Sequence, residues 1–272
     1  MKWLKLNITA RRLPWKYLIV LAAGLVIMGW LLNTPAGILG KADAIGYAIC
    51  HRIDARSFHL GGRQLPLCAR CTGMYLGAML GLAYQWVIGK KRSGFPARSV
   101  LACLAIFLMA FGVDGLNSYL HFFPGAPSLY QPQNWLRLLT GTGMGLGMAA
   151  VIYPAFNQTV WSEWDPRSAL GSLRSFGLLV ILALMMDSLV LTENSLLLYP
   201  VALISVAGVL ALLSLIYTMV WLMVLRKENR FQRVSQLILP LTGGFTFSLL
   251  QIAAFDFVRY LFTGTWQGFH LG

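Results

Sequence analysis

The stretch 198–225, LYPVALISVAGVLALLSLIYTMVWLMVL, runs for 28 residues without a charged side chain. As a helix it rises about 42 Å at 1.5 Å per residue, more than the roughly 30 Å of hydrocarbon in a bilayer. A helix that is apolar all round belongs in a membrane or in the core of a very large protein, and 272 residues do not make the second. Six more blocks of the same character lie at 17–32, 72–88, 100–120, 136–156, 176–191 and 237–262. Over the whole chain 57% of residues are hydrophobic and 11% are charged, less than half the charge of an ordinary soluble domain. These figures exclude collagen, disordered chains, disulfide-stapled secreted scaffolds and soluble nucleotide-binding folds. They predict an all-α integral membrane protein of about seven transmembrane helices, as one polytopic domain over 1–272.

Charge orients the helices, because cytoplasmic loops carry Lys and Arg in excess. Of the 22 Lys and Arg, fifteen fall in the N-terminal arm and in the second, fourth and sixth loops, and five (Lys41, Arg52, Arg56, Arg63 and Arg70) in the first loop. Arg137 and Arg259 lie within spans. The alternation places the N-terminus in the cytoplasm and the C-terminus outside, as an odd number of crossings of the plasma membrane requires. The formal charge of +13 is thus a topology signal and a contact for membrane lipids; nucleic acid is not an expected partner. A cleaved signal peptide is the competing reading of the first block, with Ala42-Asp43-Ala44 as its small-x-small site. That site stands roughly ten residues beyond the apolar run, too far for the usual spacing.

The first external loop, 33–71, is the long polar segment. It contains Cys50-His51-Arg52, then Arg56-Ser57-Phe58-His59, then Pro66-Leu67-Cys68-Ala69-Arg70-Cys71-Thr72-Gly73. Gly61-Gly62 between two short runs reads as a two-residue β-hairpin turn, which returns the chain so that Cys50 meets Cys68 and Cys71. A Cys-x-x-Cys joined by a separate Cys-His matches the ligand supply of a tetrahedral zinc site. Its ligands are Cys50, Cys68, Cys71 and a histidine, His51 or His59. Two other chemistries fit the same residues. Cys68 and Cys71 at a helix N-terminus suit a thiol–disulfide or quinone-linked redox pair, and a structural disulfide on an oxidising side suits them as well. Cys103, early in the third block, reads as a small packing residue.

The motif Cys50-His51-x4-Arg56-Ser57-Phe58, followed by Pro66-Leu67-Cys68-Ala69-Arg70-Cys71-Thr72-Gly73-x-Tyr75-x-Gly77, resembles the signature of the domain-of-unknown-function family 2085 of predicted prokaryotic membrane proteins. Asp114-Gly115 and Asn134-x2-Arg137-x2-Thr140-Gly141-x3-Gly145 extend the resemblance over about 50–147. It implies a membrane location and supports this choice of residues, and it implies no reaction.

Ionisable groups inside spans are functional candidates because hydrocarbon makes them costly. They are Asp114, Arg137, Asp187, Asp256 and Arg259, all toward the outer side. Asn117 follows Asp114 by three residues and Asn134 precedes Arg137 by three, each pair on one helical face. The expected arrangement is a polar cavity under the loop, floored by Asp114 and Arg137, with Asn134 and Asp187 as further candidate catalytic residues. The plainer alternative makes Asp114–Arg137 a tie between helices and Asp256–Arg259 a pair along one helix. Glycines four apart (Gly73, Gly77 and Gly81; Gly141 with Gly145; Gly143 with Gly147) predict close packing of the second and fourth spans. Gly243-Gly244 after Pro240 predicts a kink in the last span. Three functions follow: a metal-dependent protein acting on a lipid-borne or extracytoplasmic substrate, a redox protein, or a transporter or membrane-complex subunit without catalysis.

Overall fold

The computed structural model describes residues 15–123 and 125–268, and the chain is a predominantly α-helical membrane protein. Its long helices are α1 (Trp15–Asn33), α3 (Ala69–Ile88), α4 (Arg98–Leu120), α5 (Asn134–Val160), α6 (Leu173–Leu191), α7 (Ser195–Val224) and α8 (Ile238–Thr263), with the shorter α2 (Ile38–Ile49) between α1 and α3. Two small sheets accompany them: the hairpin β1 (His59–Leu60) with β2 (Arg63–Gln64), and the parallel pair β3 (Arg92–Gly94) with β4 (Asp165–Ser168). Each apolar block of the sequence returns as one long helix. Lys2, Lys5, Arg11 and Arg12 of the basic arm lie outside the described residues.

Six helices, α1 and α4 through α8, are long and apolar enough to cross a membrane. The other long helix, α3, has 20 residues, about 30 Å of rise. Arg70, Thr72, Gln85 and three glycines make it more polar than the rest, and it packs inside the bundle against α5 and α7, where Arg70 and Gln85 offset the cost of burial by hydrogen bonds to α4 and α5. The face carrying Thr72, Gly73, Leu76, Gly77, Gly81 and Gln85 is buried. Glycine permits this close approach. A Cβ on Gly73 would stand 2.2 Å from Leu138 O, one on Gly77 2.5 Å from Thr142 O, and one on Gly145 2.0 Å from Met74 O. The predicted contact between these two helices is therefore real for Gly73, Gly77, Gly81, Gly141 and Gly145. Gly143 faces the Phe107 ring instead, and Gly147 has nothing within 4 Å of its would-be Cβ.

Two expectations change. The segment 33–71 is not simply a loop, since α2 occupies twelve of its residues. Gly243-Gly244 does not interrupt α8, which runs unbroken through it. Pro240 stands in the first turn, where its missing N–H breaks no helical bond. Gly244 lets α8 lie on α7, with a would-be Cβ 2.2 Å from Thr218 Oγ1.

Candidate metal centre and polar cluster

The cysteines are assembled by close backbone contacts. On α2, Gly40, Ala42, Ala44, Ile45 and Gly46 form a buried face of mostly small residues. Gly46 abuts the segment that leads into α3, where a Cβ would sit 1.9 Å from Pro66 O. The helix ends at Cys50, and Arg52, with φ of 50°, then turns the chain through the left-handed region that few non-glycine residues adopt. Asp43 holds the Arg52 guanidinium at 2.9 Å, and Gln64 Nε2 on β2 donates to Arg52 O and to Ser57 Oγ at 2.9 and 2.8 Å. The hairpin forms where expected, with Gly61 and Gly62 at φ of 55° and 82°. It thereby pins the Cys-His corner beside the start of α3.

The Sγ atoms of Cys50, Cys68 and Cys71 all lie within 4.8 Å of one another, and none is in a disulfide. Three sulfurs at 2.3 Å from a tetrahedral zinc stand about 3.8 Å apart, so the trio is compatible with a metal site. His51 Nδ1 is 3.6 Å from Cys50 Sγ. His59, the alternative fourth ligand, points its Nε2 to Asp54 at 2.9 Å instead. The backbone N–H groups of Cys68 and Arg52 reach Cys50 Sγ at 3.3 and 3.5 Å. Hydrogen bonds from Cys68 and Cys71 hold the Cys50 thiol well below its ordinary range. The Cys68 thiol is pushed up to about 12, first by its bond with Cys50 and further by burial. Arg259 of α8 donates to the carbonyls of Tyr47, Cys50 and His51, the last two at 2.6 and 3.4 Å, and closes the C-terminal end of α2. Cys103 lies apart, packed against the apolar cluster of α4, α5 and α6.

The residue between Cys68 and Cys71 links this cluster to the membrane interior. Arg70 Nε donates to Asp114 Oδ2 at 3.1 Å, and Nη2 donates to the same oxygen, to Asp114 O and to Ser118 Oγ. Asp114, 1% exposed, also accepts from Tyr130 Oη at 2.9 Å and Thr140 Oγ1 at 3.3 Å. The expected Asp114–Arg137 tie is therefore replaced by Asp114–Arg70, because the Arg70 side chain reaches from the first turn of α3 to Asp114 on α4 while Arg137 turns to Asn134. Arg137 Nη1 donates to Asn134 Oδ1 at 2.7 Å, while its buried Nε has no hydrogen-bond partner. Asn134 Nδ2 reaches Ala55 O and Ser57 O at 3.4 Å, joining α5 to the loop. Arg56, which sequence reasoning left unassigned, donates to Ser118 O at 2.8 Å and lies over the Phe122 ring. Burial brings its guanidinium down to about 10, and the nearby charges of Arg137 and Arg70 add to the effect. Three guanidiniums thus gather about one carboxylate.

Asp187 does not join this polar cluster. It lies on α6, accepts from Thr142 Oγ1 at 2.8 Å, and faces a separate cavity. Asp256 accepts from Trp30 Nε1 of α1 at 3.3 Å. Replacing Arg70 by leucine, which strips the buried Asp114 carboxylate of its cation, is expected to cost about 3–5 kcal/mol. Thermal unfolding in detergent measures it, with Arg63→Leu on the exposed hairpin as the near-neutral comparison.

Residues 50–151 match the model of a family described as predicted membrane protein, DUF2085. An uncharacterised protein of Methanothermobacter thermautotrophicus is 34% identical over 103 residues, covering 38% of this chain and 83% of its own. One from Methanocaldococcus jannaschii is 30% identical over 121 residues, covering 44% of this chain and 72% of its own. No solved structure matches. The matched segment contains the three clustered cysteines, His51, Arg70, Asp114, Asn134 and Arg137, and ends before Asp187 and Asp256. The chain belongs to the DUF2085 family of predicted membrane proteins.

Proposed function

We propose that the chain is a seven-pass plasma-membrane protein whose Cys50, His51, Cys68 and Cys71 hold one zinc ion on the outer side. Beneath the ion, a basic recess receives the anionic group of a lipid-borne or extracytoplasmic substrate. The observation that carries the metal is the mutual approach of three unbonded sulfurs to within 4.8 Å. His51 is favoured over His59 as fourth ligand because His59 is committed to Asp54.

In the recess, Arg137 is the candidate anion holder. It is oriented by Asn134 and keeps a buried Nε without a partner. Asp114, which already accepts from Arg70, Tyr130 and Thr140, is a positioning residue for Arg70 rather than a general acid or base. Seven crossings follow if α3 spans with the six more apolar helices, which leaves α2 on the outer surface.

Metal analysis of the purified full-length protein tests the central assignment. Expected are one zinc per chain in the native protein and in Cys103→Ser, and loss of zinc in Cys68→Ser. Absence of stoichiometric metal from the native protein would overturn it. For topology, Leu129→Cys in the α4–α5 connection is expected to react with an impermeant maleimide in intact cells. Arg167→Cys on β4 is expected to react only after permeabilisation, and the reverse pattern would contradict the orientation.

A further inference from the structure

A cavity of about 450 Å3 lies between α4, α5 and α6, away from the cysteine centre. Its walls are apolar, with Phe107, Leu146 and Val180 among them, and its polar lining is Thr140, Thr142 and Asp187. Ile106, Leu139 and Leu184 on its margin are exposed, on a surface that meets hydrocarbon in a bilayer. A lipid chain rather than water is therefore what covers the opening. From Leu136 to Leu146 the α5 wall extends about 15 Å, the hydrocarbon depth of one leaflet.

Asp187 makes this groove more than a packing defect. The residue is 4% exposed, Oδ1 accepts from Thr142, and Oδ2 is buried with no hydrogen-bond partner. A half-satisfied carboxyl in hydrocarbon is costly and is retained where something completes it. An ammonium ion would need several acceptors that the apolar walls do not offer. A hydroxyl group can donate to a carboxylate or accept from a carboxylic acid, and so completes Oδ2 in either form.

We propose that this groove binds the hydrocarbon chain of a membrane lipid and that Asp187 hydrogen-bonds a hydroxyl at the head of that chain. The site goes beyond the metal centre and does not depend on it. Its lining meets the polar cluster around Asp114 at Thr140, whose hydroxyl is 3.3 Å from Asp114 Oδ2.

The test uses full-length protein in phosphatidylcholine vesicles with two probes, a diazirine-bearing long-chain alcohol and the matching alkane, followed by mapping of the labelled peptides. The alcohol is expected to label α4–α6 about fivefold more strongly than the alkane, the factor that one net hydrogen bond supplies. Asp187→Leu brings that ratio to about one, Asp187→Asn keeps the preference, and Ala110→Phe blocks both probes. Gel filtration of each variant separates misfolding from loss of the site. Equal labelling by the two probes in the native protein would overturn the proposal, as would labelling equally strong on the exposed face of α1. A groove closed to both probes by a second copy of the chain would overturn it too.

Discussion

Substituting Cys50 by serine is expected to remove zinc from the protein and to release α2 from the start of α3. Cys50 Sγ is the sulfur that accepts from the backbone of Cys68 and of Arg52, so its loss unties two segments as well as a ligand. Structural zinc sites in small peptides hold about 10–16 kcal/mol of apparent binding free energy, and even a modest share exceeds what an ordinary packing change removes. Limited proteolysis checks the effect, with cleavage expected in 50–68 of Cys50→Ser and resistance retained in Cys103→Ser. Resistance in both would mean that the loop is held without metal.

Gly141→Leu is expected to be the most damaging change within the bundle. Its Cβ would stand 2.1 Å from Arg70 O and 3.1 Å from Met74 N, and no rotamer relieves a clash with backbone. Overpacking costs about 1–3 kcal/mol where side chains can adjust, and here the first turn of α3 must move. That turn carries Arg70 and Cys71, so the Asp114 pair and the cysteine cluster shift together. Thermal unfolding in detergent and zinc content should both fall sharply. Gly147→Leu, six residues along with nothing within 4 Å of its Cβ, should change neither. Equal tolerance of the two substitutions would contradict the backbone contact between α3 and α5.

Local signals in the sequence were readable because their physics is local. The apolar blocks became helices since hydrocarbon length is a property of one segment. The Gly61-Gly62 turn formed because its backbone needs two positive φ angles. The glycines on α3 and α5 met because spacing by four marks one helical face. Segment 38–49 was hidden by its shortness and by Lys41 and Asp43, although the buried run of small residues around Gly46 was a usable sign. Arg70 finding Asp114 across 44 positions, and Arg259 reaching the end of α2, depend on how helices are arranged in space. No spacing along the chain encodes that, and for the same reason spacing alone pairs Asp114 with Arg137 and gives no partner for Arg56.

The most direct measurement is X-ray absorption at the zinc edge on the purified full-length protein. The account predicts one zinc per chain with three sulfur neighbours at about 2.3 Å and one nitrogen near 2.0 Å. A fourth sulfur, a shell of light atoms alone, or a protein without metal whose Cys68 and Cys71 are joined in a disulfide would contradict it.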